Sequence, residues 1–256
     1  MSVIAFILGA VIGKFINVVI DRLPVGKAII PARANSDTAG QRLKPGEMIP
    51  ILGHLLWQKR AGGYSARRLS RVLLVEVISG TAFLLIYLKY GLTPQWGVLV
   101  FYFSLFLTVA VIDLEQGLIP NKLVYPACPM ALLLTSFYPL GLAAGRAPLD
   151  SCLYSLFGGA VAFIILLIPA LLWESGMGWG DVKLAGLIGL ATGFPGGLVA
   201  LALAIIGGGL LAIVFVSSGL KKRRESIPFG PFLSAAALVA LIWGRLIADW
   251  YLGLAL

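Results

Sequence analysis

Long apolar runs separated by short polar segments dominate this 256-residue chain. The runs cover Val3 to about Ile20 and then about 72–88, 96–112, 123–142, 152–173, 182–194, 197–217 and 231–250. A helix needs about 20 mainly apolar residues to cross a bilayer. The chain is 59% hydrophobic and 12% charged, whereas an ordinary soluble domain is about 25% charged. We therefore predict an all-α polytopic membrane protein with about eight transmembrane helices.

The first apolar run is predicted to stay in the protein as a transmembrane helix. No basic segment precedes it, and Asp21-Arg22-Leu23-Pro24 follows it where a signal peptide would carry small residues and a cleavage site. Residues 21–69 then form the one long polar segment, rich in proline, glycine and basic residues. We predict a single membrane domain over residues 1–256, with 21–69 as a long loop between its first two spans.

Basic residues are concentrated in two of the segments between apolar runs. They lie in the long loop 21–69 and in 217–230, which carries Lys221-Lys222-Arg223-Arg224. Because cytoplasmic loops carry an excess of lysine and arginine, both segments are predicted to be cytoplasmic. The segments near 114–121 and 174–181 then share that side, and both termini lie outside. Membrane orientation accounts for the net charge of +9, so we predict no nucleic-acid partner.

The chain offers few metal ligands of the cysteine and histidine type. Its two cysteines, Cys128 and Cys152, are separated by far more than a C-x-x-C spacing, and His54 is its one histidine. A zinc site of the usual kind needs several such ligands close together. We therefore predict that the protein holds no metal.

Two aspartates lie at the ends of predicted spans. Asp113 closes the third span and precedes the turn Ile119-Pro120-Asn121, while Asp181 opens the sixth span after a glycine-rich segment, 176–180. A charged carboxylate at the centre of a membrane helix costs about 2.5–3.5 kcal/mol on insertion scales, so ionisable groups at membrane depth indicate function. The predicted orientation puts both aspartates at the cytoplasmic boundary, where they can share one site.

A pair of close carboxylates has a chemical use. Such a pair holds one proton between its members, so one carboxylate can deprotonate water while the other polarises a carbonyl, as in aspartic proteases. Gly178 and Gly180 would let backbone, including an extended substrate strand, approach the carboxylate. A structural alternative stays open at this point, because Asp181 can cap a helix N-terminus and Asp113 can end a span at the interface.

Several motifs occur in a fixed order along the chain. They are G-K-F-I-N-V-V-I-D-R-L-P at Gly13–Pro24, E-M-I-P-I-L-G at Glu47–Gly53, Asp113 with Ile119-Pro120-Asn121, G-W-G-D-V-K-L at Gly178–Leu184 and I-P-F-G-P-F at Ile227–Phe232. In these motifs the chain resembles the type IV prepilin leader peptidase/N-methyltransferase family, which are G-x-G-D membrane aspartic peptidases of type IV pilus and type II secretion systems. Lys14 departs from the pattern, since a small residue is usual there.

The resemblance implies a multi-pass protein of the bacterial inner membrane whose active site faces the cytoplasm. It implies a peptidase core at about 96–250 with Asp113 and Asp181 as the catalytic pair. The residues that it assigns to support the pair are Gly178, Gly180 and Lys183. The implied partners are membrane lipid and, as substrates, type IV prepilins or type II pseudopilins, whose basic leader is cut after a glycine.

The resemblance also implies a second step, in which S-adenosylmethionine methylates the newly exposed N-terminal residue. Glu76 and Glu47 match positions in the region that it assigns to the methyl donor or the substrate. Many members carry two C-x-x-C pairs in the first loop, which would bind zinc. The corresponding stretches here, 33–40 and 59–66, contain no cysteine, so a peptidase without methyl transfer stays open as an alternative.

A proton- or cation-coupled transporter is the alternative from another class of protein. Intramembrane carboxylates such as Asp113 and Asp181 are also typical of ion pathways. Many transporters contain an inverted repeat, which is not evident in this sequence. Proteolysis itself would discriminate between the two classes.

Overall fold

The computed structural model describes residues 1–26, 66–140, 145, 147–172, 177–218 and 228–255. Within these ranges the chain forms eight α-helices and no β-strand. The helices are α1 (Ser2–Arg22), α2 (Ala66–Tyr90), α3 (Pro94–Gln116), α4 (Asn121–Phe137), α5 (Pro148–Leu172), α6 (Trp179–Thr192), α7 (Gly196–Ser217) and α8 (Gly230–Ala255). The predicted all-α fold is confirmed.

Six of the described helices are long and apolar enough to cross a membrane, namely α1, α2, α3, α5, α7 and α8. The prediction of a polytopic membrane protein is thereby confirmed. The other two are shorter: α4 has 17 residues and α6 has 14. At a rise of 1.5 Å per residue they extend about 26 and 21 Å, less than the roughly 30 Å of a hydrocarbon core.

The long loop is shorter at both ends than the sequence suggested. Helix α1 continues through Arg22, and α2 already begins at Ala66. The extra turns are held by an ion-pair cluster, in which Asp21 accepts hydrogen bonds from Arg68 at 2.8 Å and from Arg71 at 2.6 Å. Residues 27–65, which include Glu47, lie outside the described part of the chain.

The chain divides into two compact units, Met1–Ser104 and Leu105–Leu256. In the first unit α1 packs along α2. A Cβ atom at Gly9 would lie 2.5 Å from the carbonyl oxygen of Ser79, so only glycine permits this approach. Nearby, the amide of Asn17 donates to the carbonyls of Gly13 and Val72, each at 3.1 Å. That the whole chain acts as one membrane domain stays a prediction.

In the second unit the short helix α6 lies at the centre. It packs against α4, α5, α7 and α8. Most of its apolar side chains are buried, including Leu184, Leu187 and Ile188, whereas Trp179 at its first position is 56% exposed. A helix that is apolar all round is typical of the interior of a bundle. Gly189 contacts Gly158 of α5 so closely that neither position has space for a side chain.

The last turn of α6 is bound by hydroxyl groups from its neighbours. The final carbonyls of a helix have no partner within the helix. Thr135 of α4 donates to the carbonyls of Leu190 and Ala191, each at 3.1 Å, and Ser155 of α5 donates to that of Leu190 at 2.6 Å. These bonds fix the C-terminal end of α6 and, through the helix, the position of its N-terminal end.

We expect the double variant Thr135→Val/Ser155→Ala to unfold more easily. Each change leaves a buried carbonyl with fewer donors, and an unsatisfied buried group costs about 1–3 kcal/mol. Thermal unfolding of the purified protein in detergent measures the effect. Ser136→Ala is the matched control, because the Ser136 hydroxyl donates within its own helix, to Leu132 at 2.7 Å. Equal melting temperatures for the double variant and the control would contradict this explanation.

Candidate active site

Asp113 lies in the last turn of α3, which ends at a glycine. Gly117 has a positive φ of 63°, and its N–H donates to the carbonyl of Asp113 at 2.8 Å. A glycine in this left-handed conformation is a common way to end a helix. The side chain of Asp113 is nevertheless buried, with 5% of its surface exposed. The helix end therefore holds a carboxylate inside the second unit rather than at its surface.

The buried carboxylate is bound by the start of α8. The backbone N–H of Gly230 donates to Asp113 Oδ2 at 2.9 Å. A Cβ atom on Gly230 would lie 2.6 Å from the same oxygen. Sequence reasoning placed Gly230 in a motif but gave it no role. The sequence did offer one signal, the Gly230-Pro231 pair. Proline is favoured in the first turn of a helix, so the pair indicates that a helix begins at this point.

Asp181 lies in the first turn of α6, three residues after the N-cap residue Gly178. Its Oδ2 would be 3.2 Å from a Cβ atom on Gly178. Gly180 allows a different approach: a Cβ atom there would lie 2.9 Å from Cβ of Ile119, in the segment that follows Asp113. The two glycines of the G-x-G-D motif thus bring α6 against the segment between α3 and α4 and leave space for the carboxylate.

The two aspartates affect one another electrostatically. Burial and the negative charge of Asp113 raise the pKa of Asp181 to about 6, against a smaller opposing effect from the backbone N–H of Gly178. Asp181 belongs to α6, which is not one of the six membrane spans. A neighbouring like charge raises a carboxyl pKa because the second charge is harder to form. The charge of Asp113 therefore acts on Asp181, so the two carboxylates are electrostatically coupled.

Lys183 follows Asp181 by two residues but is bound by α4. Its amino group donates to Asn121 Oδ1 at 3.1 Å and lies 5.3 Å from the ring centroid of Tyr125. The lysine therefore connects α6 to the first turn of α4. The sequence placed it beside Asp181 as a supporting cation, and the contacts indicate that it fixes the helix that carries Asp181.

The groove that the described residues form beside α6 does not fit S-adenosylmethionine. This groove of about 440 Å³ lies between α4, α5 and α6, but its lining is apolar apart from Tyr125, Cys128 and Lys183. It offers no carboxylate for ribose hydroxyls or for an amino group. Glu76 belongs to the first unit and is fully buried, with its Cα 2.8 Å from the vacant Cβ position of Gly13. Glu47 lies outside the described residues.

Comparison with known proteins identifies the family. The sequence profile of the type IV leader peptidase family matches residues 100–213, and that of the bacterial Peptidase A24 N-terminal domain matches residues 7–90. A protein of Bacillus subtilis (strain 168) named prepilin leader peptidase/N-methyltransferase is 30% identical over 258 residues, with both chains covered completely. The chain belongs to the type IV leader peptidase family. The resemblance inferred from the motifs is confirmed.

Other relatives of this leader peptidase family member carry the same name. The protein of Aeromonas salmonicida (strain A449) is 29% identical, over 97% of this chain and 93% of the relative. That of Pseudomonas aeruginosa is 27% identical, over 96% of this chain and 91% of the relative. No solved structure matches the chain at a significant level. Both Asp113 and Asp181 fall within the matched range 100–213.

Proposed function

We propose that the protein is an aspartic endopeptidase that removes the basic leader from type IV prepilins or type II secretion pseudopilins. The observation that carries the proposal is the pair formed by Asp113 and Asp181, two carboxylates on different helices that are electrostatically coupled. The family assignment and the names of the relatives support it and favour a peptidase over a transporter. Gly178 and Gly180 support the pair by allowing close approach, and Lys183 by fixing α6.

The proposed reaction uses the single proton of the pair. One carboxylate takes a proton from water as the water oxygen attacks the scissile carbonyl carbon, and the other gives its proton to the carbonyl oxygen. When the carbon–nitrogen bond breaks, the leaving amine takes up the proton removed from water. The burial of Asp113 supports this chemistry, because electrostatic interactions are stronger where water is excluded.

We place the active site at the cytoplasmic boundary of the bacterial inner membrane. Asp113 lies at the C-terminal end of a span and Asp181 at the start of α6, so the two meet near one edge of the apolar region. The basic segments 21–69 and 217–230 support the cytoplasmic side, because cytoplasmic loops carry an excess of lysine and arginine. At that boundary a substrate with an apolar helix and a basic leader could enter laterally, with its leader on the cytoplasmic side.

A second activity, N-methylation of the new N-terminus with S-adenosylmethionine as methyl donor, is part of the proposal. The names of the relatives support it. The alternative is a peptidase without methyl transfer. That alternative is supported by the cysteine-free first loop. Glu76 and Glu47 stay candidates for the donor or substrate region.

The intact mass of purified prepilins tests both activities at once. Each of a panel of type IV prepilins and pseudopilins is incubated with the purified protein and S-adenosylmethionine, with Asp181→Asn as the control. We expect loss of the leader and gain of one methyl group, and neither with the control. Leader loss without the methyl group would select the peptidase alone. Uncut substrates across the panel, in an assay validated with a known peptidase, would overturn the proposed function.

A further inference from the structure

The first turn of α8 leaves one backbone donor for a side chain. The first N–H groups of any helix lack partners within the helix. In α8 the N–H groups of Phe232 and Leu233 both donate to the carbonyl of Phe229, at 3.1 Å each, and Pro231 has no N–H. The remaining donor of this turn is Gly230, and it binds Asp113 Oδ2 at 2.9 Å.

The position of this donor is fixed by packing. Gly230 is buried, and a Cβ atom there would lie 2.6 Å from Oδ2 and 3.0 Å from Cγ of Asp113. The preceding Phe229 packs against α7, where its ring would be 3.3 Å from a Cβ atom on Gly208. The start of α8 is therefore held on one side by α7 while it presents the N–H to Asp113 on the other.

The Gly230 N–H makes the two aspartates unequal in how readily each holds a proton. An N–H that donates to a carboxylate favours its ionised form, and the N-terminal end of a helix adds a partial positive charge. The start of α8 supplies both effects to Asp113, through the Gly230 N–H and the N-terminal end of the helix. Asp181 also has a helix N-terminus, that of α6, and a backbone N–H, that of Gly178. These are outweighed by burial and by the charge of Asp113, which together raise the pKa of Asp181 to about 6. When one proton is shared, it is held more readily by Asp181.

We propose that Gly230 is a positioning residue whose backbone N–H holds Asp113 as the ionised, water-activating member of the pair, so that Asp181 carries the proton. This inference rests on the proposed peptidase function. Water then loses its proton to Asp113 as its oxygen bonds to the scissile carbon, and Asp181 gives its proton to the carbonyl oxygen. Cleavage of the carbon–nitrogen bond returns the proton of Asp113 to the amine and that of the hydroxyl group to Asp181.

The charged groups around Asp113 in the described part of the second unit are few. Helix α6 brings Asp181 and Lys183, whose amino group donates to Asn121 Oδ1, and α3 itself carries Glu115 on an exposed face. The first 15 residues of α8, 230–244, contain no ionisable side chain, nor does the segment 117–120. The pH dependence of cleavage is therefore expected to report mainly the proton balance of the aspartate pair.

The test is the pH–activity profile of Gly230→Ala, measured with a purified type IV prepilin that the unchanged protein cleaves. The acid limb reports uptake of a second proton by the pair, and the alkaline limb reports loss of the single proton. Because the added methyl group displaces the N–H from Asp113, the ionised carboxylate loses its donor. We expect the acid limb to move up by about one pH unit and kcat to fall about tenfold or more.

Two further variants make the result interpretable. Gly207→Ala, where a Cβ atom would meet nothing within 4 Å, is expected to keep the original profile. A backbone ester, made by incorporating glycolic acid at position 230 in cell-free translation, removes the N–H without adding a Cβ atom. It is expected to shift the acid limb in the same direction, even if Gly230→Ala fails to fold.

Each other outcome overturns the assignment. If the ester moves only the alkaline limb, Asp113 carries the proton and the two roles are reversed. If the ester leaves both limbs in place, the Gly230 N–H has no influence on the pair. A chain that cleaves none of the prepilins before any substitution would overturn the proposed function, and the assignment with it. That result is distinguishable because it appears in the unchanged protein.

Discussion

Asp113→Asn and Asp181→Asn are each expected to lower the rate of leader cleavage by about a thousandfold or more. Asparagine has the size of aspartate but cannot take up or give the catalytic proton, and acid–base groups contribute about 10²–10⁴-fold to a rate. An asparagine at 113 can still accept the hydrogen bond from Gly230, so the packing of α8 is expected to persist. Single-turnover cleavage of a purified prepilin measures the effect.

The same change at an exposed aspartate provides the control. Asp150 lies exposed in the first turn of α5, and Asp150→Asn is expected to leave cleavage unchanged. A substrate that has already lost its leader tests the proposed methyl transfer separately, because no peptide bond has to be cut first. If cleavage survives either asparagine variant at a tenth of the normal rate or better, the aspartic mechanism is wrong.

Much of this site was predictable because charge in an apolar run is costly. Asp113 and Asp181 were singled out because each lies at the end of an apolar run, and the motifs then supplied their order. The contact between Asp113 and Gly230 was not predictable in this way. It joins residues 117 positions apart and involves a backbone donor, which leaves no trace in side-chain chemistry except the requirement for glycine.

The arrangement of the helices shows a second limit of sequence reasoning. Apolar runs look alike whether they face lipid or other helices, because lipid tails are as apolar as leucine. The run at 182–194 therefore counted as a span, although α6 is a 14-residue helix at the centre of the second unit. Similarly, Glu76 matched a family position, but the sequence did not indicate that its side chain is fully buried.

Gly180→Ala is expected to lower kcat for cleavage by about a hundredfold while the protein still folds. Its methyl group would lie 2.9 Å from Cβ of Ile119, whereas carbon atoms in contact lie about 3.5–4.0 Å apart. The start of α6 must then move away from the segment that follows Asp113, which separates the two carboxylates. A displacement of about 1 Å in an active site can reduce a rate a hundredfold. Steady-state cleavage of a prepilin measures the change.

A compensating change distinguishes displacement from a direct role of Gly180 in binding substrate. Ile119→Gly removes the atoms that the new methyl group would meet, so Gly180→Ala/Ile119→Gly is expected to recover most of the lost activity. Gly209→Ala is the control, because a Cβ atom there meets nothing within 4 Å. If the double variant stays as inactive as Gly180→Ala, the glycine is required for substrate approach instead. Recovery would show that Gly180 acts by setting the distance between Asp113 and Asp181.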